Sequence, residues 1–144
     1  MKPRVFISST FYDLKQVRTD LDAFIENLGF EPIRHEDGDI PYGNEKALER
    51  YCYDEIKKCD ILISIIGGRL GSMSCYEKEY SISQMELKIA LQEKKQVYIC
   101  IEKSVNVEYG TYLKNKTTDW IPSSVDDKKI FTFINSSVIF HSIC

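Results

Sequence analysis

The feature that most constrains the fold is a short apolar run that ends in three small hydroxyl residues. Residues 5–7 are β-branched or aromatic, and Ser8, Ser9 and Thr10 follow them directly. A strand that is apolar on both faces is typical of a parallel sheet covered by helices on both sides. In such sheets, ligands bind just beyond the carboxyl ends of the strands. We therefore expect this strand at the centre of the sheet and its exit loop in a binding site.

The rest of the chain alternates between strand and helix patterns. Further strands are predicted at three places: the short stretch 30–33 and the apolar runs 60–66 and 96–101. Apolar residues spaced by three and four positions predict helices at three places: about 11–28, 44–58 and 81–94. A helix after Pro122 and a fifth strand over 137–141 complete the alternation, whereas residues 102–120 show no clear period. This order predicts an α/β fold with a doubly wound parallel sheet and right-handed crossovers.

The same spacing predicts which helical side chains face the core. On the first helix they are Leu14, Val17, Leu21, Phe24, Ile25 and Leu28. On the second helix they are Leu48, Tyr51, Cys52 and Ile56. Because Pro32 has no N–H to donate, the second strand is expected at an edge of the sheet.

The composition is typical of one globular domain and does not indicate a basic surface. The 144 residues are 43% hydrophobic and 28% charged, which suits a single domain with a real core. A net charge of -3 argues against nucleic-acid binding. No apolar run approaches the roughly 20 residues that span a bilayer, and the chain enters its first strand without a signal peptide. We therefore expect a cytoplasmic protein that binds neither nucleic acid nor membranes.

The five cysteines are scattered along the chain, at positions 52, 59, 75, 100 and 144. Their spacing supports neither a zinc site nor a disulfide framework, so we expect no metal and a reducing compartment. Cys52, Cys59 and Cys100 fall on predicted core faces and are expected to be small buried hydrophobic residues.

Glu86 is the main candidate for chemistry. On its predicted helix it shares a face with Ile82, Ile89 and Ala90. Burying a carboxylate on such a face is costly without a reason, and the helix start lies on the same rim as the exit of the first strand. However, Ser83-x-x-Glu86 also fits a capping box. The pattern alone leaves both roles open.

Two loops on that rim have the composition of a phosphate site. The hydroxyls at 8–10 lie at a strand-to-helix turn, which favours a phosphate, although Thr10 with Asp13 also fits a helix cap. The glycine-rich stretch 67–72 matches neither the Walker pattern nor the dinucleotide fingerprint. Within it, Arg69 is placed either to contact a phosphate or carboxylate or to remain solvated.

Other polar groups give no recognisable catalytic set. His35 and His141 have no evident nucleophile partner, which argues against a Ser-His-Asp hydrolase. The acidic residues at 36, 37 and 39 fit a solvated loop better than a cation site.

The motifs together resemble a bacterial domain family of unknown function, the 4062 type, which opens with Ile-Ser-Ser-Thr-Phe-x-Asp-Leu. Here that opening is Phe6-Ile-Ser-Ser-Thr-Phe-x-Asp-Leu14, followed by Arg18 and Gly29. The resemblance continues, over about the first hundred residues, through Cys59-Asp60, Ile65-Ile-Gly-Gly-Arg-Leu-Gly71 and Tyr80-Ser-x-Ser-Gln-x-Glu86 with Ala90. The family is similar to TIR domains and, more distantly, to nucleoside deoxyribosyltransferases.

The resemblance implies a flavodoxin-like, TIR-like three-layer sandwich. A parallel sheet of about five strands, in the order 2-1-3-4-5, would carry helices on both faces. Residues 1–144 would form one domain, the N-terminal module of a longer protein with further C-terminal modules.

The resemblance also implies a site. Enzymatic TIR domains use a glutamate on the third helix to cleave the nicotinamide–ribose bond of NAD, and Glu86 occupies the matching position. It would be the catalytic residue, with NAD or a related nucleotide as substrate and no cofactor, in anti-phage defence. The substrate-binding residues would be Ser8, Ser9, Thr10, Phe11, Arg69 and Ser83.

Two other roles follow from the same resemblance: a self-association adaptor and a sensor that binds a nucleotide without cleaving it. Self-association would use the third helix and the loop after the second strand, with His35, Asp37, Asp39 and Tyr42. Glu86 pointing into a cleft would favour an enzyme or a sensor, whereas Glu86 folded back on the Ser83 backbone, with no cleft beside it, would favour an adaptor.

Overall fold

The computed structural model describes residues 2–10, 13–33 and 45–136. Its four strands are β1 (Arg4–Ser8), β2 (Glu31–Ile33), β3 (Ile61–Ile66) and β4 (Gln96–Ile101). They form one parallel sheet in the order β2-β1-β3-β4. This confirms the α/β prediction, the central position of β1 and the edge position of β2. The predicted fifth strand, at 137–141, lies outside the described residues.

Five helices connect and follow the strands: α1 (Lys15–Asn27), α2 (Glu45–Lys58), α3 (Ile82–Gln92), α4 (Lys103–Lys114) and α5 (Lys129–Ile134). Helix α4 has no clear apolar period in the sequence because only a narrow stripe of its surface packs against the rest of the protein. Val105 is its one fully buried residue, whereas Val107 is 68% exposed. Within the described part of the chain, no helix is both long and apolar enough to cross a membrane.

The two faces of the sheet carry different layers. On one face, strand side chains such as Phe6 and Leu62 pack into the main core with Leu87 of α3 and Phe131 of α5. On the other face, Val5 and Ile7 pack against Ile25 of α1 in a smaller cluster. Alternation along each strand therefore gives a three-layer sandwich.

The cover on the α1 face does not extend fully over β4. Tyr98 is 43% exposed, and Cys100, two positions along the same face, is exposed as well. The expectation that Cys100 is buried was therefore wrong, because no described helix lies over that part of the sheet. Cys52 and Cys59, on the opposite side, are buried as expected.

The start and inward face of α1 differ from the prediction. The N-terminal cap is Leu14, with no side-chain hydrogen bond, so the Thr10–Asp13 cap does not form. Leu14, Arg18 and Ile25 are the buried residues facing the sheet. Three residues expected in the core are instead about half exposed: Val17, Phe24 and Leu28. Since α1 is the one described helix on its face, only a narrow stripe of it is covered.

A similar difference occurs on α2. Cys52 and Ile56 are buried as predicted, whereas Leu48 and Tyr51 are 39% and 40% exposed. The buried face is rotated toward Glu49 and Tyr53. Glu49 thus occupies the inward position that the apolar pattern assigned to its neighbour Leu48.

The glycine-rich loop after β3 is tightly packed against the segment between α4 and α5. A Cβ atom at Gly68 would lie 2.2 Å from the carbonyl oxygen of Ser124, which is closer than atoms can approach. Asp126 holds the same loop, since its N–H donates to the Gly68 carbonyl (2.8 Å) and its carboxylate accepts from the Leu70 N–H (2.9 Å). Glycine at 68 is therefore a packing requirement.

Glu108 of α4 fixes that segment from the other side. Its carboxylate accepts hydrogen bonds from the N–H and hydroxyl groups of Ser123 and Ser124, at 2.7 to 3.1 Å. Burial raises the pKa of Glu108, but these four hydrogen bonds outweigh it and lower the pKa to about 2. The predicted helix after Pro122 exists as α5, and it begins only at Lys129, after the two serines that bind Glu108.

Candidate active site

A cleft lies at the carboxyl ends of the two central strands, as parallel sheets favour. Its volume is about 380 Å³, including its open mouth. Polar lining residues come from the ends of the strands, the glycine-rich loop and the start of α3: Thr10, Ser64, Arg69, Ser81, Ser83 and Gln84. Much of the apolar wall comes from α5 and the loop: Leu70, Ile130 and Phe133. The cleft therefore joins a hydroxyl-rich side to an apolar side.

Glu86 lies buried behind the polar wall of this cleft. Glu86 is 4% exposed, and its Oε1 atom accepts a hydrogen bond of 3.0 Å from the hydroxyl of Ser8. The same hydroxyl lies 3.3 Å from the carbonyl oxygen of Ser83, a residue of the cleft lining. The structure thus brings together the end of β1 and the acid of α3, as the sequence predicted.

Glu86 has no capping role. The capping box of α3 is formed by Ser81 and Gln84, because the Ser81 hydroxyl accepts from the Gln84 N–H (3.2 Å) and the Gln84 amide oxygen accepts from the Ser81 N–H (3.0 Å). The Ser83–Glu86 box considered from the sequence was therefore wrong. Since the helix begins one residue after Ser81, Glu86 falls in its second turn and points to the sheet side.

The surroundings of Glu86 favour its neutral form more than water does. Burial raises its pKa, the Ser8 hydrogen bond and the positive charge of Arg18 lower it, and the negative charge of Glu49 raises it. Burial outweighs the opposing effects, and the pKa lies at about 7. Both the acid and the carboxylate are consequently populated at neutral pH, as proton transfer requires.

Arg18 is a buried residue beside the site to which the sequence reasoning assigned no role. It is 8% exposed, and its Nη1 atom donates to the Ser9 hydroxyl at 2.8 Å and lies 3.4 Å from the Ile7 carbonyl oxygen. It therefore ties α1 to the exit loop of β1. A signal was present, because Arg18 lies four residues after Leu14 and seven before Ile25, on the inward stripe of the helix.

Glu49 is a second buried acid that the sequence reasoning missed. It is 1% exposed and accepts hydrogen bonds from the hydroxyls of Tyr53 and Ser74 and from the Cys75 N–H. Burial raises its pKa, but these hydrogen bonds outweigh it, so the pKa lies below its ordinary value. The sequence did contain a signal for its burial, because Glu49 lies seven residues before Ile56 and therefore on the same face of the helix.

The remaining predicted binding residues have different environments. Ser9 is bound by Arg18 and donates to the Thr10 carbonyl at 2.9 Å, so it supports the loop. Thr10, Arg69 and Ser83 line the cleft. The Thr10 hydroxyl is buried and has no hydrogen-bond partner among the described residues. Arg69 is exposed, and within residues 2–10, 13–33 and 45–136 it forms no hydrogen bond or ion pair.

Five predicted residues lie outside the described part of the chain: Phe11, His35, Asp37, Asp39 and Tyr42. Ser64 was not predicted, although a hydroxyl that interrupts an apolar strand was a visible signal; it pairs with Ser8 across β1 and β3 and lines the cleft. Within the described residues, no group of three or more His, Cys, Asp or Glu side chains is placed to hold a metal ion.

Two of the solved structures that are similar to this chain are enzymes. The 2-desoxiribosyltransferase from Leishmania mexicana aligns with a TM-score of 0.52 and 14% identity, over 96% of this chain and 99% of that one. The Clostridium botulinum CMP N-glycosidase BcmB aligns with a TM-score of 0.49 and 20% identity, over 92% and 95%. At such identities, the likeness concerns the fold. No curated protein matches the sequence.

The family resemblance can be stated more firmly. Residues 4–140 match the family described as Domain of unknown function (DUF4062), which is nearly the entire chain. The family-like motifs of the sequence lie where the structure forms its cleft, at the exit of β1, the glycine-rich loop and the start of α3. The chain therefore belongs to the family of the Domain of unknown function (DUF4062).

Proposed function

We propose that this protein breaks the N-glycosidic bond of a nucleotide, with NAD as the first candidate substrate and Glu86 as the catalytic carboxylate. One observation carries the proposal. A buried acid is hydrogen-bonded to Ser8 at the carboxyl end of the central strand, and Ser8 also contacts Ser83 in the wall of the cleft.

The chemistry requires such a group. Breaking a bond between a sugar and a base builds positive charge on the ribose, and a carboxylate stabilises that charge or captures the sugar covalently. The low dielectric around a side chain that is 4% exposed strengthens the attraction. Because the ionised form acts, the activity should rise as the pH passes through about 7, the pKa of Glu86.

The cleft suits a nucleotide in polarity. Its enclosed part holds only about 30 Å³, so a nucleotide must lie across the open mouth or displace lining side chains. The Thr10 hydroxyl, which has no partner within the described residues, and the Arg69 guanidinium are suited to ribose and phosphate oxygens. Ile130 and Phe133 offer an apolar surface to the base. The fold shared with a 2-desoxiribosyltransferase is consistent with this proposal but does not carry it.

Access to the acid sets a further requirement. Glu86 is not among the residues that line the cleft, whereas Ser83 and Gln84 of the same helix are. Substrate binding must therefore displace these side chains or exchange the Ser8 hydroxyl for a ribose hydroxyl. Either change would move only the side chains that separate Glu86 from the cleft.

The test is to incubate the protein with NAD, and in parallel with CMP, and to measure released nicotinamide or cytosine by chromatography. Glu86→Gln should lower the rate by about 100-fold or more. Glu55→Gln is the matched control, because Glu55 is a buried acid on α2 that pairs with Arg4 at 3.1 Å, away from the cleft. Equal rates for Glu86→Gln and the unchanged protein would remove the assignment.

A nucleotide sensor is the second candidate, and the observation that favours it is the absence of Glu86 from the cleft lining. Calorimetry would then detect nucleotide binding without any released base, and Glu86→Gln would bind as tightly as the unchanged protein. Self-association through the loop with His35, Asp37, Asp39 and Tyr42, and a role in anti-phage defence, are extensions of the proposal that rest on the family resemblance.

A further inference from the structure

Thr10 carries a polar atom for which the folded chain provides no partner. Its Oγ1 atom is buried and forms no hydrogen bond within the described residues. Such a hydroxyl destabilises the ligand-free protein, because it gives up its hydrogen bonds with water and gains none in return. Thr10 also lines the cleft, just beyond the carboxyl end of β1. A ligand oxygen in the cleft would supply the missing partner.

The methyl group of Thr10 is fixed by Gly71. Gly71 has a φ of +78°, and a Cβ atom at that position would lie 2.9 Å from the Cγ2 atom of Thr10. The Thr10 methyl group therefore fills the space that a side chain at Gly71 would need. Since the methyl and the hydroxyl share one Cβ atom, this contact restricts χ1 and also sets the direction of the hydroxyl.

The backbone of Thr10 is held by Ser9 and Arg18. The Ser9 hydroxyl donates to the Thr10 carbonyl at 2.9 Å, and Nη1 of Arg18 donates to the Ser9 hydroxyl at 2.8 Å. Thr10 thus has a fixed backbone and a fixed side chain, although neither contact gives its hydroxyl a partner. A group that is preorganised in this way binds a ligand with little loss of conformational entropy.

The distance of Thr10 from the candidate acid indicates which part of a nucleotide it meets. Thr10 follows Ser8 by two residues, and Ser8 donates to the Glu86 carboxylate at 3.0 Å. Two residues of chain span at most about 7 Å, which is close to the width of a ribose with its hydroxyl groups. With Glu86 at the bond between sugar and base, Thr10 therefore lies beside the sugar. Hydrogen bonds to the sugar 2-hydroxyl strengthen in the transition state of glycoside cleavage.

We propose that Thr10 is a specificity-determining residue, whose hydroxyl binds the 2′-hydroxyl of the substrate ribose and selects ribonucleotides over 2′-deoxyribonucleotides. This inference rests on the proposed function, because the position of Glu86 places the sugar. A substrate without that oxygen leaves the Thr10 hydroxyl unpaired, and sites built to bind a hydroxyl reject analogues that lack it. Gly71 is a positioning residue for this contact.

The test compares two sugars in two proteins. It measures kcat/KM for NAD and for CMP, each beside the form that lacks the 2′-hydroxyl next to the cleaved bond, in the unchanged protein and in Thr10→Val. Because a deoxyribose bond is intrinsically easier to break, the informative quantity is the change in the ribose-to-deoxyribose ratio between the two proteins. Thr10→Val should lower this ratio by about tenfold, since it removes one hydrogen bond and keeps the side-chain shape. An equal loss with both sugars would overturn the sugar assignment.

A measurement without substrate gives a second readout. Thr10→Val replaces an unpaired buried hydroxyl by a methyl group, so the ligand-free variant should have a Tm at least as high as that of the unchanged protein. A lower Tm would show that the protein itself binds the hydroxyl, which would overturn the inference. Thr19→Val is the matched control, because Thr19 is exposed on α1 and its hydroxyl donates to the Lys15 carbonyl at 3.0 Å. It should not change the ribose-to-deoxyribose ratio.

Two glycines test the positioning role. Gly71 and Gly29 have similar positive φ angles, +78° and +82°, so an alanine is strained at each. A Cβ atom at Gly29 would meet no atom within 4 Å, whereas one at Gly71 would meet Thr10. Gly71→Ala should therefore lower the ribose-to-deoxyribose ratio and Gly29→Ala should not. Similar ratios in the two variants would overturn the role of Gly71, and if Gly71→Ala folds poorly, Thr10→Val still decides the role of Thr10.

The outcomes distinguish this inference from the function on which it rests. An unchanged ratio in Thr10→Val, in a protein whose turnover depends on Glu86, overturns the role of Thr10 and leaves the reaction standing. Without turnover, calorimetry gives the corresponding ratio from the Kd values of the same four compounds. A preference for ribose that Thr10→Val removes then supports the inference and overturns the reaction, whereas no binding of any of the four overturns both.

Discussion

The buried carboxyl group of Glu86 contributes to stability in a way that depends on pH. Its pKa is raised from 4.5 to about 7 by burial. The folded state therefore binds a proton more tightly than the unfolded chain does. The resulting stabilisation is fully present below about pH 4.5 and is lost as the pH rises through about 7. Above neutrality, the protein keeps a buried charge that lowers its stability.

A neutral replacement should remove that penalty. We expect Glu86→Gln to be more stable than the unchanged protein at pH 8.5, by up to about 3 kcal/mol, with much less difference at pH 5. Urea unfolding at the two pH values measures this. A variant that is destabilised equally at both would show that Glu86 is not charged and buried above neutrality.

Among the helices, α3 shows how a single cap fixes the position of the candidate acid. Ser81 and Gln84 form the capping box, and this register places Ser83 at the cleft and Glu86 toward the sheet. The sequence predicted the helix but left its first residue between Ser81 and Ser83. The two serines offer similar caps, and the choice depends on tertiary contacts such as the pairing of Ser81 with Met73.

The two serines should therefore differ when they are replaced. Ser81→Ala should destabilise the protein by about 1 kcal/mol through loss of the cap. Ser83→Ala should leave stability nearly unchanged and should affect ligand binding instead. Denaturant midpoints compare the two variants, and a larger loss of stability in Ser83→Ala would contradict the observed register.

The glycine-rich loop offers a second comparison. A methyl group at Gly68 would collide with the Ser124 carbonyl, whereas one at Gly110, in α4, would meet no atom within 4 Å. Gly68→Ala should cost about 1 to 3 kcal/mol, and Gly110→Ala should stabilise by up to about 1 kcal/mol because alanine favours helix. Thermal unfolding checks both signs. Similar changes in stability at the two positions would show that the loop can move to accommodate a methyl group at Gly68.

At the scale of the whole molecule, the fold was predictable wherever a simple apolar pattern marks the buried residues. Strands β1, β3 and β4 are nearly continuous apolar runs, and the parallel order of the sheet follows from the alternation with helices. The burial of Arg18 and Glu49 was signalled by their spacing, but their hydrogen-bond partners were not predictable, because they lie far along the chain, as with Glu49 and Ser74, 25 residues apart. The helix α4 escaped detection because it buries so little of its surface.

The exposure of each cysteine, which differs between the two faces of the sheet, predicts its reactivity. Cys75 and Cys100 are exposed and should react with a thiol reagent in the folded protein. Cys52 and Cys59 are buried, and burial raises the pKa of each thiol, so they should react only after global unfolding. Peptide mapping after timed alkylation measures the four rates. Early modification of Cys59 would contradict the closed core.

The hydrogen bonds of Glu108 have a consequence for redesign of the cleft. Glu108 holds Ser123 and Ser124, Ser124 fits against Gly68, and Gly68 precedes Arg69 at the cleft. The rim is thus supported by a helix about 40 residues further along the chain. A graft of the glycine-rich loop into another scaffold of this fold would have to bring the serine segment and its acid as well. The smallest transplantable part of the cleft rim is therefore discontinuous in sequence.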